Sequence, residues 1–526
     1  MNFKKILLPL LLCLGVMKGQ DEADAQKFSK YISADHLKKN LSVLASDEYE
    51  GRETGMKGQK MAAKYIADHF RSSGIPPFKT EYFQKFNVVQ HKPQQINISI
   101  NGKIFKAYRD YFSPSAFLKD SMFTISEITF AGYGINTTAY NDYEKGSLKS
   151  KVVLISEEEP VNSNGISLIS NTKELSDWST NRRKKITQAR KNGFKILFIA
   201  ENDIEKSKEE NAHRIYYSKM TLEDDFKEEN LSSDLLIIHI SNEMANAMLS
   251  SSSKTIQLLK NSIKKNGKPE TFETKTSINI KMNQTHEIME TENVIGFVEG
   301  TDLKDELIVI TAHYDHIGKE GEKIFNGADD DGSGTVAVME LANAFMQSKL
   351  QGKGPRRSIL FMTVAGEEKG LLGSDYYSRH PLHPLGKTVA NLNIDMIGRL
   401  DKAHEGNPNY VYIIGSNMLS TELHQLNEVC NKKFVQLELD YTYNREDDPN
   451  RYYYRSDHYN FAKNDVPVIF YFNGVHDDYH QETDEVEKIN FQKIEKISRL
   501  VFHTAWELAN RNERIKLDPG KSTKKN

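Results

Sequence analysis

Covalent crosslinking has almost nothing to work with in this chain. Its 526 residues include two cysteines, Cys13 and Cys430, and Cys13 falls in a segment expected to be removed. An excess of either charge is also missing. Lys and Arg number 70 against 73 Asp and Glu, a formal net charge of -3. That balance gives no support for a nucleic-acid partner or a polybasic membrane surface. Long apolar runs are scarce as well. Ile6 to Met17 is too short to span a bilayer comfortably, follows two lysines and precedes polar Lys18-Gly19-Gln20-Asp21. Residues 1–20 therefore read as a secretory signal peptide, with a secreted or periplasmic destination and no transmembrane segment in the mature chain. A lipoprotein anchor on Cys13 is disfavoured, because leucines precede it where a small residue is expected. Cys430 is then left alone, so the exported chain forms no internal disulfide and depends on its core and on metal ions.

What is present suits a soluble globular protein of two or three domains, with 38% hydrophobic and 27% charged residues. Ser33 can cap a helix that buries Leu37, Leu41 and Leu44, and Lys57 to Ser73 repeats the helical period before Gly74. Residues 28–121 are expected to be the N-terminal part of the main domain. Near Asp120 the texture changes to short apolar runs, Ile125 to Phe130, Val152 to Ile155, Ile196 to Ile199 and Leu235 to Ile240, separated by charged stretches. Residues 122–265 are read as an inserted smaller domain, since structureless loops of that length are rare. Lys254 to Pro269 reads as a basic linker back to a main domain over 270–512, and 513–526 as a disordered tail.

In the second half, strands alternate with helices. Leu307 to Ala312, Ile359 to Val364, Val389 to Ile394, Tyr412 to Ile414 and Val466 to Phe472 are strand-like. Between and after them run helical patterns, from Gly332 to Lys349 and from Asn490 to Arg511 among others. The alternation implies an α/β fold, a three-layer αβα sandwich around a mostly parallel, mixed sheet.

The chemistry gathers where those strands end. The first apolar run delivers His313-Tyr314-Asp315-His316, and the second ends in Glu367-Glu368. Asp329-Asp330-Asp331 precedes a helix, where the dipole favours carboxylates. Hydrophobic burial has no use for such groups there, whereas open α/β sheets carry their sites at the C-terminal ends of strands. His313, Asp330, Glu368, Asp395 and His480 make a donor set of imidazoles and carboxylates that suits zinc, and the odd carboxylate can lie between two ions. Two such ions would activate water and polarise a carbonyl. Asp315 is placed to orient His313, and Glu367 is the natural general base.

These segments resemble the co-catalytic di-zinc exopeptidases, the family of bacterial leucyl aminopeptidases and glutamate carboxypeptidase II. The matching pieces are Ala312-His313-Tyr314-Asp315-His316, Asn326 to Gly334, Ala365 to Leu371, Asn393-Ile394-Asp395-Met396, Arg455-Ser456-Asp457-His458 and Tyr479 to Asp484. They run in family order across 293–510. Residues 33–74 resemble the lead-in of secreted members, and Phe130-Ala131-Gly132-Tyr133-Gly134 is similar to part of a protease-associated domain. The resemblance implies two Zn2+ per chain, bridged by Asp330, with His313 and Asp395 on one and Glu368 and His480 on the other. It also implies a cis peptide after Asp330, Asp457 behind the ligands and a tyrosine on the oxyanion. Tyr452, Tyr453 and Tyr454 run together there, and spacing favours Tyr453. Gly332, where Asn or Ala often stands, is expected to be harmless.

The implied activity is that of a zinc aminopeptidase acting on peptide substrates, with Glu367 moving a proton from water to the leaving amine. Arg445, Arg451 and Arg455 would alternatively suit a substrate carboxylate, and with it a dipeptidase or carboxypeptidase. A single-zinc glutaminyl cyclase of the same fold is set against the intact ligand set. A non-catalytic peptide-binding module is the remaining class.

Overall fold

The computed structural model describes residues 21–522 apart from 93–94, 115–119, 145–147, 212–214, 216–218 and 227–234. The expected signal peptide and the end of the expected tail, 523–526, lie outside the described residues. The chain forms two units, one built from residues through Val88 and from Met289 on, the other from Val89–Ile288.

Parallel strands buried on both faces organise the larger unit. Arg357–Val364, Thr388–Ile394 and Val468–Phe472 are buried at every residue, and Leu303–His313 is buried from Leu307 onward. Such near-continuous apolar strands are stable only where helices cover both faces. Leu303–His313 pairs in parallel with Arg357–Val364 on one side and Thr388–Ile394 on the other, and Thr388–Ile394 pairs in parallel with Val468–Phe472. Antiparallel neighbours close the run, His286–Val298 against Arg357–Val364 and Tyr410–Ile414 against Val468–Phe472. The sheet is therefore mixed, and its four central strands end at one edge.

Alternate residues of these strands face opposite layers. Phe361 meets Phe345 of the helix Gly334–Leu350, with ring centroids 5.9 Å apart, and Phe345 meets Phe502 of the helix Phe491–Asn510 at 4.5 Å. Leu360 and Met362 pack instead in a cluster with Tyr377 and Phe461, from the helices Leu372–Arg379 and His458–Ala462. The two layers of helices complete the αβα sandwich.

The smaller unit has a sheet and core of its own. Ser121–Ala131, Val152–Ser156, Ile196–Ala200 and Leu236–Ile240 pair in parallel in that order, and Thr271–Asn283 joins antiparallel to Ser121–Ala131 and to Gln95–Ile100. The unit is wider at both ends than the 122–265 read from texture, because Gln95–Ile100 and Thr271–Asn283 complete this sheet and bury Ile96, Ile98, Ile278 and Ile280 in its core. The stretch read as a basic linker holds the helix Ile256–Asn266. Thr255 caps it, and Ile256, Leu259 and Ile263 are buried beneath a lysine-rich outer face.

Both ends of the described chain are also tied down. Residues 21–29 are helical, Phe28 is buried, and Asp21 accepts a hydrogen bond from Trp506 Nε1 at 2.9 Å. Residues 513–522, read as part of a disordered tail, are held by Arg514, whose guanidinium donates to the carbonyls of Gly386 and Thr388. Ile515 is buried, and Asp518 accepts the Thr421 hydroxyl at 2.6 Å.

Candidate metal centre

The four central strands end in His313, in Ala365-Gly366-Glu367-Glu368, in Asp395 and in Asn473, all at one edge. The Asp loop completes the floor. Its three aspartates are buried, and each does different work. Asp331 accepts the N–H groups of Gly334 at 2.8 Å, Met396 at 3.0 Å and His313 at 3.2 Å, joining the segments that carry Asp330, Asp395 and His313. Asp329 points the other way, accepting the Gly398 N–H at 2.6 Å and an Asn473 side-chain N–H at 3.2 Å, with His476 Nε2 3.3 Å away. Asp330 alone faces the cleft. The peptide bond between Asp330 and Asp331 is cis.

Gly334 has no alternative here, since a Cβ would stand 2.4 Å from Asp331 Oδ1 and 2.6 Å from the Ile394 carbonyl oxygen. At Gly332 a Cβ would lie 2.6 Å from Leu41 Cδ1 and 3.0 Å from the Gly327 carbonyl oxygen, so a larger residue there requires the Leu41 side chain to shift.

The structure brings the expected ligands together. Asp330 Oδ1 lies 3.2 Å from His313 Nε2, while its Oδ2 lies 3.1 Å from His480 Nε2. One carboxylate thus faces a separate imidazole with each oxygen. Asp395 Oδ1 stands 3.6 Å from His313 Nε2, and Glu368 Oε1 3.2 Å from His480 Nε2. Glu367 reaches to 4.0 Å from His313 Nε2. Asp330 Oδ2 and His480 Nε2, although close, make no hydrogen bond, which is the geometry of donor atoms converging on a cation. The donor set and its spacing fit metal ions.

Charge pairing is correspondingly strong. Burial works against the ionised form of Asp330, but His313 and His480 outweigh it and hold the carboxyl well below its usual range. Burial likewise works against the His480 cation, yet Asp330 and Glu368 push this imidazole up to about 10. Burial drives Glu367 well above the carboxylate range; His313 opposes it, and Glu368, Asp395 and Asp457 reinforce it.

Several groups stand behind the site, of which Ser456 and His316 were not singled out from the sequence. Ser456 Oγ donates to Asp395 Oδ2 at 2.6 Å and accepts from Asn393 Nδ2 at 2.9 Å. Asp457 sits deeper, accepting the Ser374 hydroxyl at 2.5 Å, and burial raises its carboxyl to about 7. His316 is fully buried with Nδ1 2.9 Å from Glu368 Oε1 and 3.8 Å from Asp330 Oδ2. It completes a three-residue donor cluster with them. The only sequence signal for it was its place in His313-Tyr314-Asp315-His316. Asp315 lies beneath His313 but touches it through its main chain: His313 Nδ1 is 3.0 Å from the Asp315 carbonyl oxygen.

Tyr453 does not reach the cleft. It is buried against Tyr454, Tyr459 and His458, and its ring carbons are what a Cβ on Gly415 would strike. The short turn Tyr452–Tyr454 rotates adjacent side chains apart, so Tyr452 lines the cleft instead, together with Met396, Arg455, Phe470, Phe472, Val475 and Tyr479.

Residues 293–505 match the model of Peptidase family M28. A probable leucine aminopeptidase of Trichophyton verrucosum (strain HKI 0517) is 30% identical over 212 residues, 39% of this chain and 55% of that protein. Aminopeptidase YwaD of Bacillus subtilis (strain 168) is 33% identical over 131 residues, 23% of this chain and 27% of its own. The aligned stretches thus span about half or less of these two curated relatives. Among solved structures, the aminopeptidase from Aneurinibacillus sp. strain AM-1 aligns with a TM-score of 0.54 at 18% identity, over 95% of this chain and 100% of that one. The zinc aminopeptidase BSAP from Bacillus subtilis gives 0.52 at 17% identity, over 92% and 98%. Those two likenesses establish a shared fold. The likeness to Peptidase family M28 therefore lies in residues 293–505, the part of the chain that carries the candidate metal centre.

Proposed function

We propose that this chain is a secreted di-zinc aminopeptidase that removes N-terminal residues from peptides. The observation that carries the reading is Asp330, whose two oxygens face His313 and His480 separately at 3.2 and 3.1 Å. A carboxylate so placed is suited to lie between two ions, with His313 and Asp395 on one side and Glu368 and His480 on the other. The relatives' printed names, leucine aminopeptidase and zinc aminopeptidase, favour the free-amine substrate.

When bound, zinc would polarise the scissile carbonyl and acidify water. The rest falls to the chain's own groups. Glu367 Oε accepts the proton of the attacking water and delivers it to the leaving amine nitrogen. Its burial raises the carboxyl, and neighbouring cations would lower it again, favouring the ionised form that a base needs. Tyr452, on the cleft wall, offers its hydroxyl to the developing oxyanion. Met396, Phe470, Phe472 and Val475 form an apolar wall that excludes water and receives a side chain. The unit Val89–Ile288, with its own core, takes the part of the protease-associated domain in this reading.

The test is zinc content of the mature chain alongside hydrolysis of an aminoacyl-nitroanilide panel, with Glu367→Gln in parallel. The expected result is two zincs per chain in both proteins, hydrolysis by the parent and a loss of about 10²–10⁴-fold in the variant. One zinc with glutamine cyclisation would replace the reading by a cyclase. A Glu367→Gln protein with unimpaired function would replace it by a binding module.

A further inference from the structure

We infer that Arg455 makes the cleft selective for short peptides that end in a free carboxylate, with the guanidinium taking that carboxylate. The inference rests on the exopeptidase reading above and narrows its substrate class.

Three arginines lie in the segment that leads to Ser456, and the structure separates them. Arg445 is engaged by Asp447 through two hydrogen bonds, Nε at 2.6 Å and Nη2 at 2.8 Å. Arg451 lies over the Tyr454 ring, 4.8 Å from its centroid, and takes no part in the cleft. Arg455 lines the cleft together with His313, Asp330, Glu367, Glu368 and Asp395. Among the described residues lining it, Arg455 is the sole arginine or lysine. Arg399, farther back, is bound to Asp478 at 2.7 Å.

The guanidinium of Arg455 has a defined seat, and among the described residues no carboxylate pairs with it. Its carbon lies over the Tyr452 ring at 5.1 Å from the centroid. Tyr452 is itself fixed between Phe472 at 5.1 Å and Tyr443 at 4.8 Å. The main chain is pinned too: the Arg455 N–H donates to the Tyr452 carbonyl at 3.1 Å, and the next residue, Ser456, is bound to Asp395. An arginine resting on an aromatic face leaves its in-plane N–H edge for a planar anion, and carboxylate matches that edge in two-pronged fashion. Because the side chain is exposed at the cleft, it contacts water until substrate arrives.

Charge and placement point to the same ligand. The other ionisable groups of the lining are the acidic and imidazole groups of the metal centre. With those committed to cations, a substrate carboxylate finds its counter-charge at Arg455. Arg455 lines the same cleft as His313, Asp330, Glu367 and Asp395, so the carboxylate it takes lies a residue or two beyond the scissile bond, as in a dipeptide or tripeptide. An apolar wall for the first side chain and a cation for the far end together describe a peptidase that finishes short peptides.

The experiment uses the zinc-loaded full chain and compares leucyl-leucine, leucyl-leucine amide and leucyl-nitroanilide. Parent enzyme is expected to favour the free acid over the amide in kcat/KM by about tenfold or more, the scale of one hydrogen bond to a charged group. Arg455→Gln should erase that ratio mainly through KM, and Arg455→Lys should restore part of it. Equal treatment of acid and amide by the parent would overturn the inference. So would an Arg455→Gln variant that loses both substrates in equal measure, which is the mark of a purely structural arginine. Calorimetric binding of leucyl-leucine and its amide to the zinc-loaded Glu367→Gln protein separates the two layers of argument. If nothing is hydrolysed, the aminopeptidase reading fails; acid bound about tenfold tighter than amide, with the gap lost on adding Arg455→Gln, would still uphold carboxylate capture. No such gap would remove it.

Discussion

His313 Nδ1 meets the main-chain carbonyl oxygen of Asp315 at 3.0 Å, while the Asp315 carboxylate stands 3.9 Å from the same nitrogen. The carbonyl therefore fixes the ring with Nδ1–H inward and Nε2 toward the cleft, the usual way a ligating imidazole is oriented. The carboxylate has other partners, accepting the Thr54 hydroxyl at 2.7 Å and the Glu367 N–H at 3.2 Å. Asp315→Asn is thus expected to keep the full metal content while lowering kcat about tenfold, since it disturbs the placement of the general base. Metal analysis beside steady-state kinetics checks this. Loss of one ion would mean that the carboxylate orients His313 after all.

Asp395 depends on a buried relay. Asn391 Nδ2 donates to Thr311 Oγ1 at 2.9 Å, Thr311 donates to Asn393 Oδ1 at 2.6 Å, and Asn393 Nδ2 donates to Ser456 Oγ at 2.9 Å. Ser456 Oγ in turn donates a hydrogen bond to Asp395 Oδ2 at 2.6 Å. Ser456→Ala breaks the last link and leaves a ligand oxygen without its donor. Affinity for the ion beside His313 is expected to fall by about 10–100-fold, measured by chelator competition, with the ion beside His480 retained.

Tyr452 and Tyr453 make a paired test. Tyr452 lines the cleft, and Tyr453 is buried behind it. Tyr452→Phe is expected to cost kcat about 10²-fold or more, the scale of a lost oxyanion donor. Tyr453→Phe should act mainly on stability. The reverse ranking would return the oxyanion role to Tyr453.

That pair also marks where sequence reading stops. The proposed ligands His313, Glu368 and Asp395 were legible because charged groups follow apolar strands, and the helix Phe491–Asn510 because Ile494, Ile497, Val501 and Leu508 repeat on one face. Which of three consecutive tyrosines faces the cleft depends on the rotation of one short turn, which composition does not encode. The division of labour among Asp329, Asp330 and Asp331 is set by partners as distant as Gly398 and Met396. The helix Ile256–Asn266 was hidden by its lysines, since its buried stripe is only Ile256, Leu259 and Ile263.

Arg52 braces the loops under the site. It is 1% exposed, and its guanidinium donates to the carbonyls of Tyr314 at 2.8 Å, Leu44 and Asn326 at 2.7 Å and Gly327 at 2.9 Å. Tyr314 follows His313, and Gly327 lies in the loop that carries Asp330. Arg52→Met would strand these buried acceptors and remove a cation from beside four aspartates. A loss of about 3–5 kcal/mol is expected, read from the denaturant midpoint. Arg52→Lys, with one compact ammonium, should recover only part of it.

Acid stability should be governed in part by imidazoles outside the candidate metal centre. Burial, with Arg499 adding to it, lowers His503 to about 4, and burial with His36 and Lys39 lowers His69 to about 4. His503 lies flat against Phe434, ring centroids 4.0 Å apart, and its Nδ1 has no hydrogen-bond partner. In the folded chain both rings stay neutral where free histidine, with a pKa near 6.5, would take up a proton. The unfolded chain therefore binds more protons between pH 6.5 and about 4, and stability must fall as pH falls through that window. Above pH 6.5 neither group contributes a slope; below about 4 the loss is complete. Each ring accounts for at most about 3 kcal/mol of that loss. His503→Phe keeps the stacked aromatic and removes the titration. Its unfolding free energy should decline less steeply than the parent's from pH 6.5 to 4, by close to one proton's worth of slope, with the two profiles parallel above pH 7. An unchanged slope in urea titrations across that range would show that His503 is protonated in the fold.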